Sequence, residues 1–161
     1  MGAGYHGGFG NTHGSAAAGD AVYKSEPGQF FANIANRKDI DKHGVYDVVA
    51  HGGAAIMQVT HNGEILEIDS RTAAKLIKSK TDYKHGQPIR LLSCDTGSST
   101  SGFAQNLANK LNVVVEAPTK LVWAYPNGKY FVAGRRKDNP NLPDMNNPGV
   151  FKKFYPGGKK K

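Results

Sequence analysis

With 161 residues, 39% of them hydrophobic, the chain suffices for one domain with one core once its weakly apolar ends are set aside. It has no run of about 18 apolar residues, and its Gly- and Ala-rich beginning lacks a basic region followed by an apolar one, so neither a membrane span nor a Sec-type leader is expected. The formal charge of +8 argues only weakly for a nucleic-acid partner, because eight basic residues against two acidic ones lie beyond position 133 and the remainder is close to neutral.

Residues 1–19 hold seven glycines together with His6, His13 and Ala16-Ala17-Ala18, too few large apolar groups to offset the entropy of ordering a core element. The composition predicts a flexible junction over residues 1–24, as in a domain attached to a longer chain. Ser25-Glu26-Pro27 is a helix start, and Phe30, Phe31, Ile34 and Ala35 then share a face up to about Arg37. Val45-Tyr46-Asp47-Val48-Val49-Ala50 reads as a strand covered on both faces, and it runs into His51-Gly52-Gly53.

Residues 56–60 and 64–68 flank Asn62-Gly63, which predicts a β-hairpin. Asp69 or Ser70 caps the next helix, with Ala73, Leu76 and Ile77 inward and Arg71, Lys75 and Lys78 toward water. A second core strand over residues 88–93 ends at Cys94, and a small polar loop feeds a helix marked by Phe103, Leu107, Ala108 and Leu111. Val113-Val114-Val115 supplies a third strand, and residues 122–125 and 129–132 form a further hairpin at an edge. The expected fold is α/β, a mainly parallel central sheet with flanking helices and edge hairpins. The domain spans residues 25–133, and residues 134–161 form a basic, loop-rich tail tacked down by Phe151, Phe154 and Tyr155.

A single cysteine excludes an internal disulfide framework and a thiolate-rich zinc site, which leaves Cys94 as buried filler, a surface accident or a nucleophile. A lone cysteine at a strand end is more often a small buried hydrophobe. Here, however, it shares its position with His51: both stand at the carboxyl ends of core strands, where α/β sheets hold their ligands. Neighbouring strands lie about 4.8 Å apart, so an imidazole and a thiol at adjacent ends can meet. A histidine and a following helix N-terminus would lower the thiol pKa, and Gly52, Gly53 and the Cys94 amide could offer donors to an oxyanion.

This order of strand, His-Gly, hairpin, helix, strand, Cys and polar loop resembles the caspase-like cysteine peptidases, the group of caspases, gingipains, separase, self-cleaving toxin domains and CHAT domains. Val48-Val49-Ala50-His51-Gly52 is similar to their His-Gly strand, and Leu91-Leu92-Ser93-Cys94-Asp95-Thr96-Gly97 to the Ser/Ala-Cys-x-Thr-Gly segment of CHAT domains. The resemblance implies His51 as acid–base partner, Cys94 as nucleophile, and the Gly52 and Cys94 amides as oxyanion hole. Asp95 or Glu116 would line a pocket for a basic substrate side chain, or else be solvated carboxylates. Trp123 is a cleft wall or a core aromatic.

A second resemblance runs from Gln29-Phe30-Phe31 through Ala117-Pro118-Thr119 and Trp123-Ala124-Tyr125-Pro126-Asn127-Gly128 to Phe154-Tyr155-Pro156-Gly157-Gly158. These segments look like C-terminal toxin modules of bacterial polymorphic toxins. That implies delivery into a competing bacterium, action on a protein substrate in its cytoplasm, and a cognate immunity protein in the producer. The rival chemistry is a nuclease toxin in which His51 works with His61 or His85 and the tail holds phosphates. A binding module without catalysis is the third reading. No cofactor is implied, and His6 and His13 lack the two-ligand spacing on a firm element that a metal would need.

Overall fold

The computed structural model describes residues 6–12, 15–18, 30–61 and 64–158. In chain order the elements are β1 (His6–Thr12), β2 (Ser15–Ala18), helix α1 (Phe30–Ile34), β3 (Tyr46–Val49), β4 (Met57–His61), β5 (Glu64–Ile68), helix α2 (Ser70–Lys80) and β6 (Ile89–Leu92). Helix α3 (Phe103–Leu111), β7 (Val115–Pro118), β8 (Leu121–Ala124), β9 (Tyr130–Arg135), β10 (Pro143–Pro148) and β11 (Phe151–Phe154) follow. Eight strands form one sheet in the order β11-β7-β6-β3-β2-β1-β4-β5, and β8, β9 and β10 form a separate antiparallel sheet. The four central strands, β2, β3, β6 and β7, are parallel, and antiparallel strands extend the sheet at both ends.

The parallel centre follows from sequence. β3 is buried throughout, and β6 pairs with it in the register Tyr46↔Ile89 to Val49↔Leu92. Side chains alternate between faces along a strand. One face carries Tyr46, Val48, Ala50, Ile89, Leu91, Val115 and Ala117 into a continuous apolar core. Helix α2 joins it through Ala73, Ala74 and Ile77, and α3 through Phe103, Ala104, Leu107, Ala108 and Leu111. Asp69 caps α2 by accepting the Thr72 N–H at 2.9 Å. Among the described residues no helix is long and apolar enough to cross a membrane.

The opposite face is smaller and partly ionic. Val49 and Leu92 pack there against Phe31 and Ile34 of α1 and Val122 of β8. Asp47, with 0% of its surface exposed, accepts from Arg37 at 2.9 and 2.7 Å and from Arg90 at 2.8 and 2.7 Å. Arg90 also reaches Asp39 at 2.9 Å, and the Tyr130 hydroxyl donates to the same Asp39 carboxylate. Burial alone would raise the Asp39 carboxyl, but the hydrogen bonds from Arg90 and Tyr130 hold it below its ordinary value.

Two expectations about the ends are corrected. The junction predicted over residues 1–24 contains β1 and β2, which fill the gap between β3 and β4. Backbone hydrogen bonds to a neighbour on each side hold these Gly- and Ala-rich segments, and such bonds need no apolar pattern. The tail predicted as loop supplies β10 and β11, and β11 closes the main sheet against β7, with Phe154 only 3% exposed. The third core strand begins at Val115 rather than Val113, and the hairpin over residues 121–135 belongs to the second sheet. The helix start at Ser25-Glu26-Pro27 and the Asn62-Gly63 turn lie outside the described residues, although the pairing His61↔Glu64 is the predicted one.

Candidate active site

His51 stands two residues beyond the end of β3 and Cys94 two residues beyond the end of β6. The register pairs residues 43 apart, Val49 with Leu92, and the alternation carries both side chains onto the face of Val49 and Leu92. Both line one cleft of about 710 Å³. Its other walls are Phe30, residues 121–125, Arg135 and residues 141–143.

Each group is held from the α1 and β8 side. The His51 ring meets Phe31 edge-on at 4.8 Å and lies 6.2 Å from Phe30. The Cys94 sulfur, half-buried, accepts the Val122 N–H at 3.3 Å. Burial pushes the Cys94 thiol above its ordinary pKa and the nearby Asp95 adds to this, against the Val122 N–H and the Arg135 cation. The lowered thiol pKa expected from a helix N-terminus is therefore not found. The first α3 donors are taken: Phe103 N–H gives to the Ala54 carbonyl at 2.9 Å and Ala104 N–H to the Thr96 carbonyl at 3.1 Å. The helix end thus ties together the loops after β3 and β6 instead of facing the sulfur.

Those loops touch through Gly52. A Cβ there would sit 2.2 Å from the buried Ser93 hydroxyl and 2.8 Å from Thr96, so only glycine lets the loops approach this closely. Gly52 pairs with Met57 in a bridge flanked by Gly53 N–H to the Ile56 carbonyl and Gln58 N–H to the His51 carbonyl, both at 2.9 Å. In that antiparallel geometry the Gly52 N–H points away from the Met57 strand. The β3–β6 ladder ends with Ala50 N–H on the Leu92 carbonyl, and Asp95, at φ 62°, turns the chain away. Among the described residues the Gly52 amide has no hydrogen-bond acceptor, and the Cys94 amide lies against its own sulfur.

The other predicted site residues divide. Trp123 lines the cleft, its indole N–H fixed on the Ala133 carbonyl at 2.9 Å. Gly53, Asp95 and Glu116 do not line it. The Gly53 amide is committed to Ile56; the Asp95 carboxyl is raised by burial, with Arg135 opposing; and Glu116 lies in β7, in register with Lys153 of β11. Among the described residues no carboxylate lines the cleft and Arg135 does, so of the two readings of Asp95 and Glu116 the pocket for a basic side chain is not the one seen. His85 is exposed in a turn, and the His61 side chain lies outside what is described.

Sequence reasoning missed Arg135, Asn141, Leu142 and Pro143 because it placed them in a solvated tail. The available signal was the β8–β9 hairpin itself, whose second strand runs on to Arg135.

Residues 21–132 match the model of a family described as a domain of unknown function, DUF8616. No curated protein and no solved structure matches the chain.

Proposed function

The chain belongs to the DUF8616 family, and from that premise we propose that it is a cysteine-dependent hydrolase, a peptidase of caspase-like type, with Cys94 as nucleophile and His51 as acid and base. One observation carries this reading: an imidazole and the lone thiol share one sheet face and one cleft at the ends of adjacent parallel strands.

The chemistry follows from the site. Because burial keeps the thiol protonated near neutral pH, the proton must leave during attack rather than before it. His51 takes the Sγ proton as sulfur bonds to the scissile carbonyl carbon. The Gly52 and Cys94 amides receive the negative charge that develops on oxygen. His51 then returns its proton to the leaving amine as the C–N bond breaks. Water, deprotonated by His51, hydrolyses the thioester and restores the thiol.

The biological setting proposed with this chemistry is an effector domain delivered into a competing bacterium, acting on a cytoplasmic protein and neutralised in the producer by a dedicated immunity protein. It is supported by the toxin-module resemblance of segments throughout the chain. The test expresses wild type, Cys94→Ala and His51→Ala in bacteria, follows growth, and maps new peptide termini across the proteome. Growth arrest and new termini should appear with wild type alone. Equal toxicity of all three chains removes the mechanism, and degraded nucleic acid in place of new termini would favour a nuclease.

A further inference from the structure

The β8–β9 hairpin borders a second cavity, of about 840 Å³, that shares no lining residue with the His51/Cys94 cleft. Three segments remote in sequence converge on it: the turn after α1, the tip and second strand of the hairpin, and the connection from β10 to β11. Lys38, Lys42 and Lys129 stand around it, and Tyr130 and Phe151 supply aromatic surface, their rings meeting edge-on at 6.0 Å.

The backbone is shaped to bring these segments together. Asp41 and His43, on either side of Lys42, both hold φ at 60°, a left-handed conformation that costs non-glycine residues of order 1 kcal/mol. Gly128 lies so close to Asn36 that a Cβ would sit 2.2 Å from its carbonyl oxygen, and a Cβ on Gly149 would come within 2.7 Å of Val132.

Charge supplies the second argument. Among the described residues none of the three lysines has a carboxylate within ion-pair reach. Among the described residues the acid lining the cavity is Asp39, which is committed to Arg90 and Tyr130 and held below its ordinary pKa. A cavity edged by three lysines favours an anion.

We propose that this cavity binds a nucleoside di- or triphosphate, its phosphates on Lys38, Lys42 and Lys129 and its base against the Tyr130 and Phe151 surface. Lysines take phosphate oxygens as point charges through charge-assisted hydrogen bonds, and aromatic faces accept a flat base. The site is independent of hydrolysis at Cys94.

Calorimetric titration of the full chain with ATP, tripolyphosphate and adenosine tests it. ATP should saturate one site more tightly than either fragment, and Lys42→Glu with Lys129→Glu should weaken it by about 10-fold or more. Cys94→Ala should bind ATP as wild type does. If the double variant melts early, Lys42→Gln and Lys129→Gln taken singly keep the test, each lowering affinity. Absence of saturable ATP binding, equal affinity for tripolyphosphate, or affinity untouched by the lysine variants overturns the proposal.

Discussion

The two faces of the central sheet are built from alternate residues of the same strands, yet they differ in kind. On one, Tyr46, Val48, Ile89 and Leu91 meet two amphipathic helices in a largely apolar core. On the other, Asp47, Arg90, His51 and Cys94 alternate with Val49 and Leu92 beneath one short helix and a three-stranded sheet. The difference teaches that the apolar face supplies cohesion while the ionic face fixes register. Asp47 and Arg90 are directly paired across β3 and β6, four residues before His51 and Cys94 respectively, so the bond that locks one pair aligns the other.

Changes in the cleft and on the apolar face should therefore separate activity from stability. The largest effect is expected from Cys94→Ala, which should lower hydrolysis by at least about 10³-fold while the melting temperature stays near that of wild type. Next comes Asp47→Ala, which removes the buried carboxylate that Arg37 and Arg90 share and should cost about 3–5 kcal/mol in urea unfolding. Leu91→Ala on the apolar face should cost about 2–5 kcal/mol by the same measurement and leave the turnover of the folded fraction intact. A loss of turnover per folded molecule in Leu91→Ala would break the division between the faces.

Gly52→Ala is expected to push the two strand-end loops apart and lower kcat/KM by about 10²-fold with a smaller loss of stability. The smallest effect concerns Arg135. In Arg135→Gln, Cys94 alkylation by iodoacetate relative to iodoacetamide should fall roughly 3- to 5-fold at low salt. In wild type the alkylation rate should keep rising with pH beyond the ordinary thiol range, because burial raises the folded thiol pKa. The linked stability has the same sign: it is fully present below the unfolded thiol pKa and is lost as pH rises through the folded one.

What could be read from the sequence was what side-chain pattern specifies. β3, β6, the β4–β5 hairpin, α2 and α3 announce themselves through apolar runs, period-two alternation and helical spacing, and these elements position His51 and Cys94. Strands β1 and β2 carry no such signal, since their glycine- and alanine-rich sequences lack an apolar pattern. β10, with proline at both ends and two asparagines inside, contradicts strand propensity and depends on its β9 partner. Nor does local pattern show which sheet a hairpin joins. That gap hid the cleft wall made by Arg135 and residues 141–143.

The position of β2 and β1 between β3 and β4 has a kinetic consequence. Ser15 must find Asp47 and His6 must find His61 before the sheet is continuous, and Phe151 must reach Pro118 before its far edge is capped. Pairings this distant along the chain demand costly loop closures, so folding should be slow for a chain of this length. Until both ends have arrived, β3 and β7 present bare hydrogen-bonding edges to any neighbouring chain, and association at those edges competes with completion of the domain.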